Sequence, residues 1–85
     1  MDNQHKKIKG YRDLSQEEIN LMNEIKEKGV ELDNLITKVN GVNAEIEAGG
    51  VPDRSDPFGW SSVAKTNLQQ GIMALTRAVA KPEFF

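Results

Sequence analysis

The chain contains no cysteine, so no disulfide can staple it. His5 is the only histidine, which leaves no Cys/His set with zinc-ligand spacing. No apolar run approaches the ~18 residues needed to span a bilayer. The N-terminal stretch is positively charged but is followed by no apolar segment, so it does not read as a signal peptide. A broad basic excess is missing too: 11 basic residues meet 13 acidic ones, a net charge of −2. That balance argues against a general DNA or RNA binder, while still allowing a few placed cations to hold a small anion. Without cysteine, and with one histidine near a terminus, thiol and Ser/His/Asp chemistry have little support. No carboxylate pair sits at a spacing that demands acid/base or metal chemistry. Phosphate loops of the Walker or dinucleotide-fold type are absent as well. The reading is a non-enzyme with no cofactor and no metal.

A chain of 85 residues makes a single thin domain. At this size only about 60% of the unfolded surface is buried on folding, and disulfides, metals or oligomerisation usually make up the deficit. With the first two missing, self-association remains.

Residues 1–14 form a basic arm, with His5, Lys6, Lys7, Lys9 and Arg12 around Gly10 and Tyr11. Ser15 and Glu18 then spell a capping box, and Leu14 with Ile19 can close a hydrophobic staple. Apolar residues recur at Ile19, Met22, Ile25, Val30, Leu32, Leu35, Ile36, Val39, Val42 and Ile46, a helical spacing of three and four. This predicts a long helix over 15–48, ended by Gly49-Gly50 and Pro52. Gly29 and Gly41 lie inside it, each costing up to ~1 kcal/mol relative to Ala; they permit close helix contact or mark a bend. Residues 49–57 read as a turn, with Asp56 as N-cap and Pro57 at the first helical position. A second helix over 58–81 carries Trp60, Ala64, Leu68, Gly71, Ile72, Leu75, Ala78 and Val79 on one stripe. Pro82 ends it, and 82–85 is a tail closing on Phe84-Phe85. The fold expected is all-α: an N-terminal arm or short helix, then an antiparallel helical hairpin with a long first helix. Two helices of unequal length cannot cover each other's apolar stripes, so the hairpin is expected to assemble as an oligomer.

Lys26 breaks the pattern. Successive helix positions turn by ~100°, which puts it within a stripe holding Ile19, Met22, Gly29 and Val30, with no acidic residue three or four positions away. Lys28, by contrast, has Glu24 and Glu31 at those spacings. An unpaired ammonium in a partly buried stripe calls for an anion, or else it snorkels to water; periodicity leaves both open. Tyr11 is the second candidate, either packing on the start of the helix or stacking on a base with Arg12 beside it. On the second helix Lys65 lies at the edge of the apolar stripe. Thr66, Gln70, Met73 and Arg77 form a separate face, where Arg77 can grip a phosphate bidentately or remain a solvated surface residue.

Three stretches resemble the phage anti-CBASS cyclic-nucleotide sponge family: Gly10-Tyr11-Arg12-Asp13-Leu14, the run from Glu18-Ile19-Asn20 to Asn23-Glu24-Ile25-Lys26, and Ala64-Lys65-Thr66-Asn67-Leu68 through Arg77 to Pro82. The resemblance implies a protein that sequesters cyclic di- and trinucleotide messengers, such as 3′,3′-cyclic GMP-AMP, in the cytoplasm of the infected bacterium. It degrades none of them. It implies a homohexamer built as a trimer of interlocked dimers, with dinucleotide pockets shared by two subunits and trinucleotide pockets shared by three. By the same resemblance Tyr11 stacks on a base and Lys26 meets a phosphate in the dinucleotide pocket. Lys65, Thr66 and Arg77 are implied for the trinucleotide pocket. No membrane, DNA or RNA partner is implied. The alternative reading is a helical interaction or structural module of a phage, with no nucleotide ligand.

Overall fold

The computed structural model describes residues 13–50 and 54–83. It consists of α1 (Gln16–Ala48) and α2 (Pro57–Ala80), with no strand among the described residues. The helices run antiparallel as a hairpin, with Gly29 of α1 facing Ile72 of α2.

The capping box opens α1. Glu18 donates its backbone N–H to Ser15 Oγ at 3.1 Å, and Ser15 donates its N–H to Glu18 Oε1 at 2.9 Å. Two of the four orphan amides of the first turn region thereby find partners. Glu18 does a second job: its Oε2 lies 3.6 Å from Lys81 Nζ, which ties the start of α1 to the residue after α2. At the other end Gly49 and Gly50 donate to the carbonyls of Ile46 and Glu47 at 3.1 and 2.9 Å. Gly50 adopts φ +81, the left-handed region that glycine enters freely. Here α1 stops.

Asp56 caps α2, with its Oδ1 accepting from the Gly59 N–H at 3.2 Å and Pro57 following it inside the helix. Asp56 does so from the left-handed region, φ 58, which aspartate tolerates better than most residues. This folds its carboxylate back over Gly59 so closely that a Cβ there would overlap the Asp56 carboxylate carbon and both its oxygens. Gly59→Ala is therefore expected to swing the Asp56 side chain out and lose the cap. The loss is expected at about 1–2 kcal/mol, measurable by thermal unfolding against a Ser62→Ala control.

Packing is confined to one seam. On α1 the half-buried positions are Glu18, Met22, Ile25, Gly29, Leu32, Ile36, Asn40 and Asn43, a run of threes and fours along one face. The matching half-buried positions of α2 are Ser61, Leu68, Ile72, Thr76 and Val79, with Pro57, Gly59 and Ala80 at its two ends. The sequence stripes are wider than this seam. Ile19, Val30, Leu35, Val39, Val42 and Ile46 stay between 40% and 57% exposed, and Trp60 and Leu75 stay 68% and 52% exposed. The reason is geometric: an apolar stripe well over 100° wide meets a partner only one helix broad. The molecule measures 59 × 23 × 17 Å, a single layer of helices with no interior. Among the described residues not one hydrophobic side chain is fully buried.

Candidate functional site

The seam divides the surface of the hairpin into two flanks. One carries a groove of about 530 Å3 between the helices. Its floor is Gly29, Leu32, Ile36, Leu68 and Ile72, and its rim is Asp33 from α1 with Lys65, Gln69 and Met73 from α2. The groove exists partly because Gly29 has no side chain: a Cβ there would meet Ile72 Cγ2 at 3.8 Å. That is ordinary van der Waals contact, so this glycine is not required by helix packing within the hairpin. Gly29→Ala is expected to raise stability by about 0.5–1 kcal/mol through helix propensity alone. Chemical denaturation would check this, and a loss of stability would show that another body approaches Gly29.

Lys26 lies on this same flank, two turns before Asp33 along α1. It is exposed, because the seam runs through Met22, Ile25 and Gly29 and leaves the next position turned out by ~100°. The stripe that the sequence drew through Ile19 and Val30 is the flank of the helix, and Lys26 lies with them. Among the described residues no carboxylate lies within ion-pair distance of its ammonium. Lys28 behaves otherwise, sitting 3.4 Å from Glu31 Oε2. A hydrated, unpaired ammonium is available to an incoming anion at little desolvation cost.

Lys65 is on the groove rim. Thr66 and Arg77 are exposed on the outer face of α2. They share that face, because eleven positions make just over three full turns, and they stand about 16 Å apart along the helix. Lys65 faces ~100° away from Thr66, so a single chain does not bring Lys65, Thr66 and Arg77 to one point. Tyr11 lies outside the described residues, as do Gly10, Arg12 and the Phe84-Phe85 tail.

Three groups on the groove flank escaped the sequence reading. Asp33 and Gln69 form the polar rim, yet in sequence each is one more hydrophilic helix position. Asn40 lies on the seam, and its Oδ1 is covered with no hydrogen-bond donor among the described residues. A covered acceptor of this kind normally takes a donor from water, ligand or another chain. An amide recurring at seam spacing with Ile36 and Asn43 was the available signal. Among the described residues no group of three or more His, Cys, Asp or Glu side chains could hold a metal, and no helix is long and apolar enough to cross a membrane.

The hairpin is also the unit that comparison recognises, since residues 3–80 match the family described as Acb2/Tad1, hairpin domain. The chain belongs to the Acb2/Tad1 hairpin family. It is also similar to Anti-CBASS protein 2 of Pseudomonas phage JBD67, being 36% identical over an alignment of 106 positions that covers 98% of each chain. The match to the Acb2/Tad1 hairpin spans both helices, the turn and most of the basic arm, so Lys26, Lys65, Thr66, Arg77 and Tyr11 all fall within it. For an Acb2/Tad1 hairpin, the groove flank is where exposed cations, a polar rim and an apolar floor meet.

Proposed function

We propose that this chain is a phage anti-CBASS protein that binds and sequesters cyclic di- and trinucleotide messengers without degrading them, in the cytoplasm of the infected host. The observation that carries the reading is Lys26: an exposed ammonium with no carboxylate partner among the described residues, in a chain 36% identical to a protein named for acting against CBASS. In the proposed dinucleotide pocket two subunits supply two Lys26 ammoniums for the two phosphates and two Tyr11 rings for the two bases. Lys65, Thr66 and Arg77 are proposed for the trinucleotide pocket. Their separation on one helix favours a pocket completed by residues from several copies, in keeping with the hexamer that the resemblance implies. No bond is made or broken: sequestration requires affinity and abundance, and a messenger so held cannot switch on the bacterial effector.

Isothermal titration with 3′,3′-cyclic GMP-AMP tests this. Tight binding is expected, and heating the complex should release the nucleotide intact on chromatography. Absence of heat across a panel of cyclic di- and trinucleotides would sink the proposal, and linear products after incubation would replace it with a degradative enzyme.

A further inference from the structure

The groove rim sets a carboxylate, an amide and a cation around an apolar floor. Gly29 faces Ile72, and in an antiparallel pair each step along α1 is matched by a step back along α2. Asp33, four positions after Gly29, therefore stands level with Leu68 and its neighbour Gln69. Lys65 stands one turn, about 6 Å, beyond Gln69. Asp33, Gln69 and Lys65 all line the same groove, and all three are exposed. Among the described residues Asp33 and Lys65 have no ion-pair partner, so they border one groove without meeting across it. The one hydrogen bond of Asp33 is made by its backbone carbonyl, which accepts from Thr37 Oγ1 at 3.2 Å. Its carboxylate oxygens and the Gln69 amide are open to a ligand.

We infer that this rim reads a base of the bound cyclic trinucleotide, and that Asp33 makes it prefer guanine to adenine. The inference rests on the trinucleotide binding contained in the proposed function and adds to it the residue that sets base preference. The groove, about 530 Å3, falls in the size range of ligand sites, and its leucine and isoleucine floor suits the face of a base. A carboxylate only accepts hydrogen bonds, through two oxygens side by side. Guanine alone among the four RNA bases presents two donors side by side, N1–H and N2–H, with the O6 acceptor next to them. Asp33 matches the donor pair, and an N–H of the Gln69 amide matches O6. Adenine presents a single amino donor beside the bare N1 acceptor. An amide satisfies that edge unaided, which leaves the Asp33 carboxylate facing a lone pair. Lys65, a point charge on a flexible stem, meets the adjoining phosphate, a contact that positions the ligand without reading its base.

Calorimetric titration of wild type, Asp33→Asn and Lys65→Ala with two ligands tests this: cyclic triadenylate, and the same ring with one guanine replacing adenine. The wild type is expected to bind the guanine ring about ten- to a hundredfold more tightly, the discrimination of one good bidentate contact. Asp33→Asn keeps the size of the side chain but exchanges an acceptor for a donor, so the preference should vanish or turn toward adenine. Lys65→Ala should weaken both rings by a similar factor and leave their ratio in place. Equal wild-type affinity for the two rings overturns the inference, and so does an Asp33→Asn variant that weakens both alike. If Asp33→Asn loses its helicity by circular dichroism, the wild-type ratio decides alone. Titration with 3′,3′-cyclic GMP-AMP separates the two readings. Tight dinucleotide binding without guanine preference among trinucleotides sinks the role of Asp33 and leaves the sponge, whereas absence of binding to any cyclic nucleotide sinks both.

Discussion

Lys26→Ala is expected to bind 3′,3′-cyclic GMP-AMP about a hundred- to ten-thousand-fold more weakly than wild type, at unchanged helicity and oligomer size. A hydrogen bond to a charged group contributes ~1.5–3 kcal/mol, and in the proposed pocket, shared by two subunits, it is lost twice. The sum of about 3–6 kcal/mol converts to that range at 1.4 kcal/mol per decade. The fold should not notice, because the Lys26 side chain is exposed and has no carboxylate partner among the described residues. Tyr11→Ala should lose a similar amount, with each base stack contributing ~1–3 kcal/mol. Titration calorimetry paired with light scattering checks both variants. Wild-type affinity in either variant removes that residue from the site.

The second large effect falls on the seam. Leu68→Ala is expected to cost about 2 kcal/mol, the lower end for truncating a leucine, since Leu68 is half-buried. In a domain this small each kcal/mol moves Tm by ~4–8 °C, so a fall of about 8–16 °C should appear in a thermal melt. Thr66→Ala, two positions earlier on the exposed face, should stay within about 0.5 kcal/mol of wild type. A Leu68→Ala melt as mild as that of Thr66→Ala would mean that the hairpin seam is not where the chain's stability resides.

The helices and their starts were legible because their signals are local. Ser15 and Glu18 state a cap within four residues, and Asp56-Pro57 states another. What could not be read was which apolar residues face α2. That depends on the register between the helices, and it is fixed by non-local fits such as Gly29 against Ile72. Drawn from sequence alone, the stripe of α1 runs through Ile19 and Val30 and takes Lys26 with it. Drawn by the seam it runs through Met22, Ile25 and Gly29, and Lys26 turns out to solvent. Lys26 is thus exposed rather than part-buried and, like Lys38 and Lys65, has no carboxylate partner among the described residues. The groove was illegible for the same cause, since Asp33 and Gln69 become neighbours of one cavity only once the register is set. The left-handed backbone of Asp56 and Lys81 carries no sequence flag either, because neither residue is glycine.

The two flanks also bear on how such a chain can change over generations. The groove rim and the apolar side chains of the far flank are separate sets: Asp33, Lys65, Gln69 and Met73 border the groove, and Leu35, Val39, Val42 and Ile46 lie on the other side of α1. Along α1 Asp33 and Leu35 are only two positions apart, yet ~100° per residue sends them to opposite sides. A single nucleotide change in the gene can therefore alter charge on the groove rim while leaving the far flank unchanged. Selection for a new preference at the groove rim need not disturb the far flank.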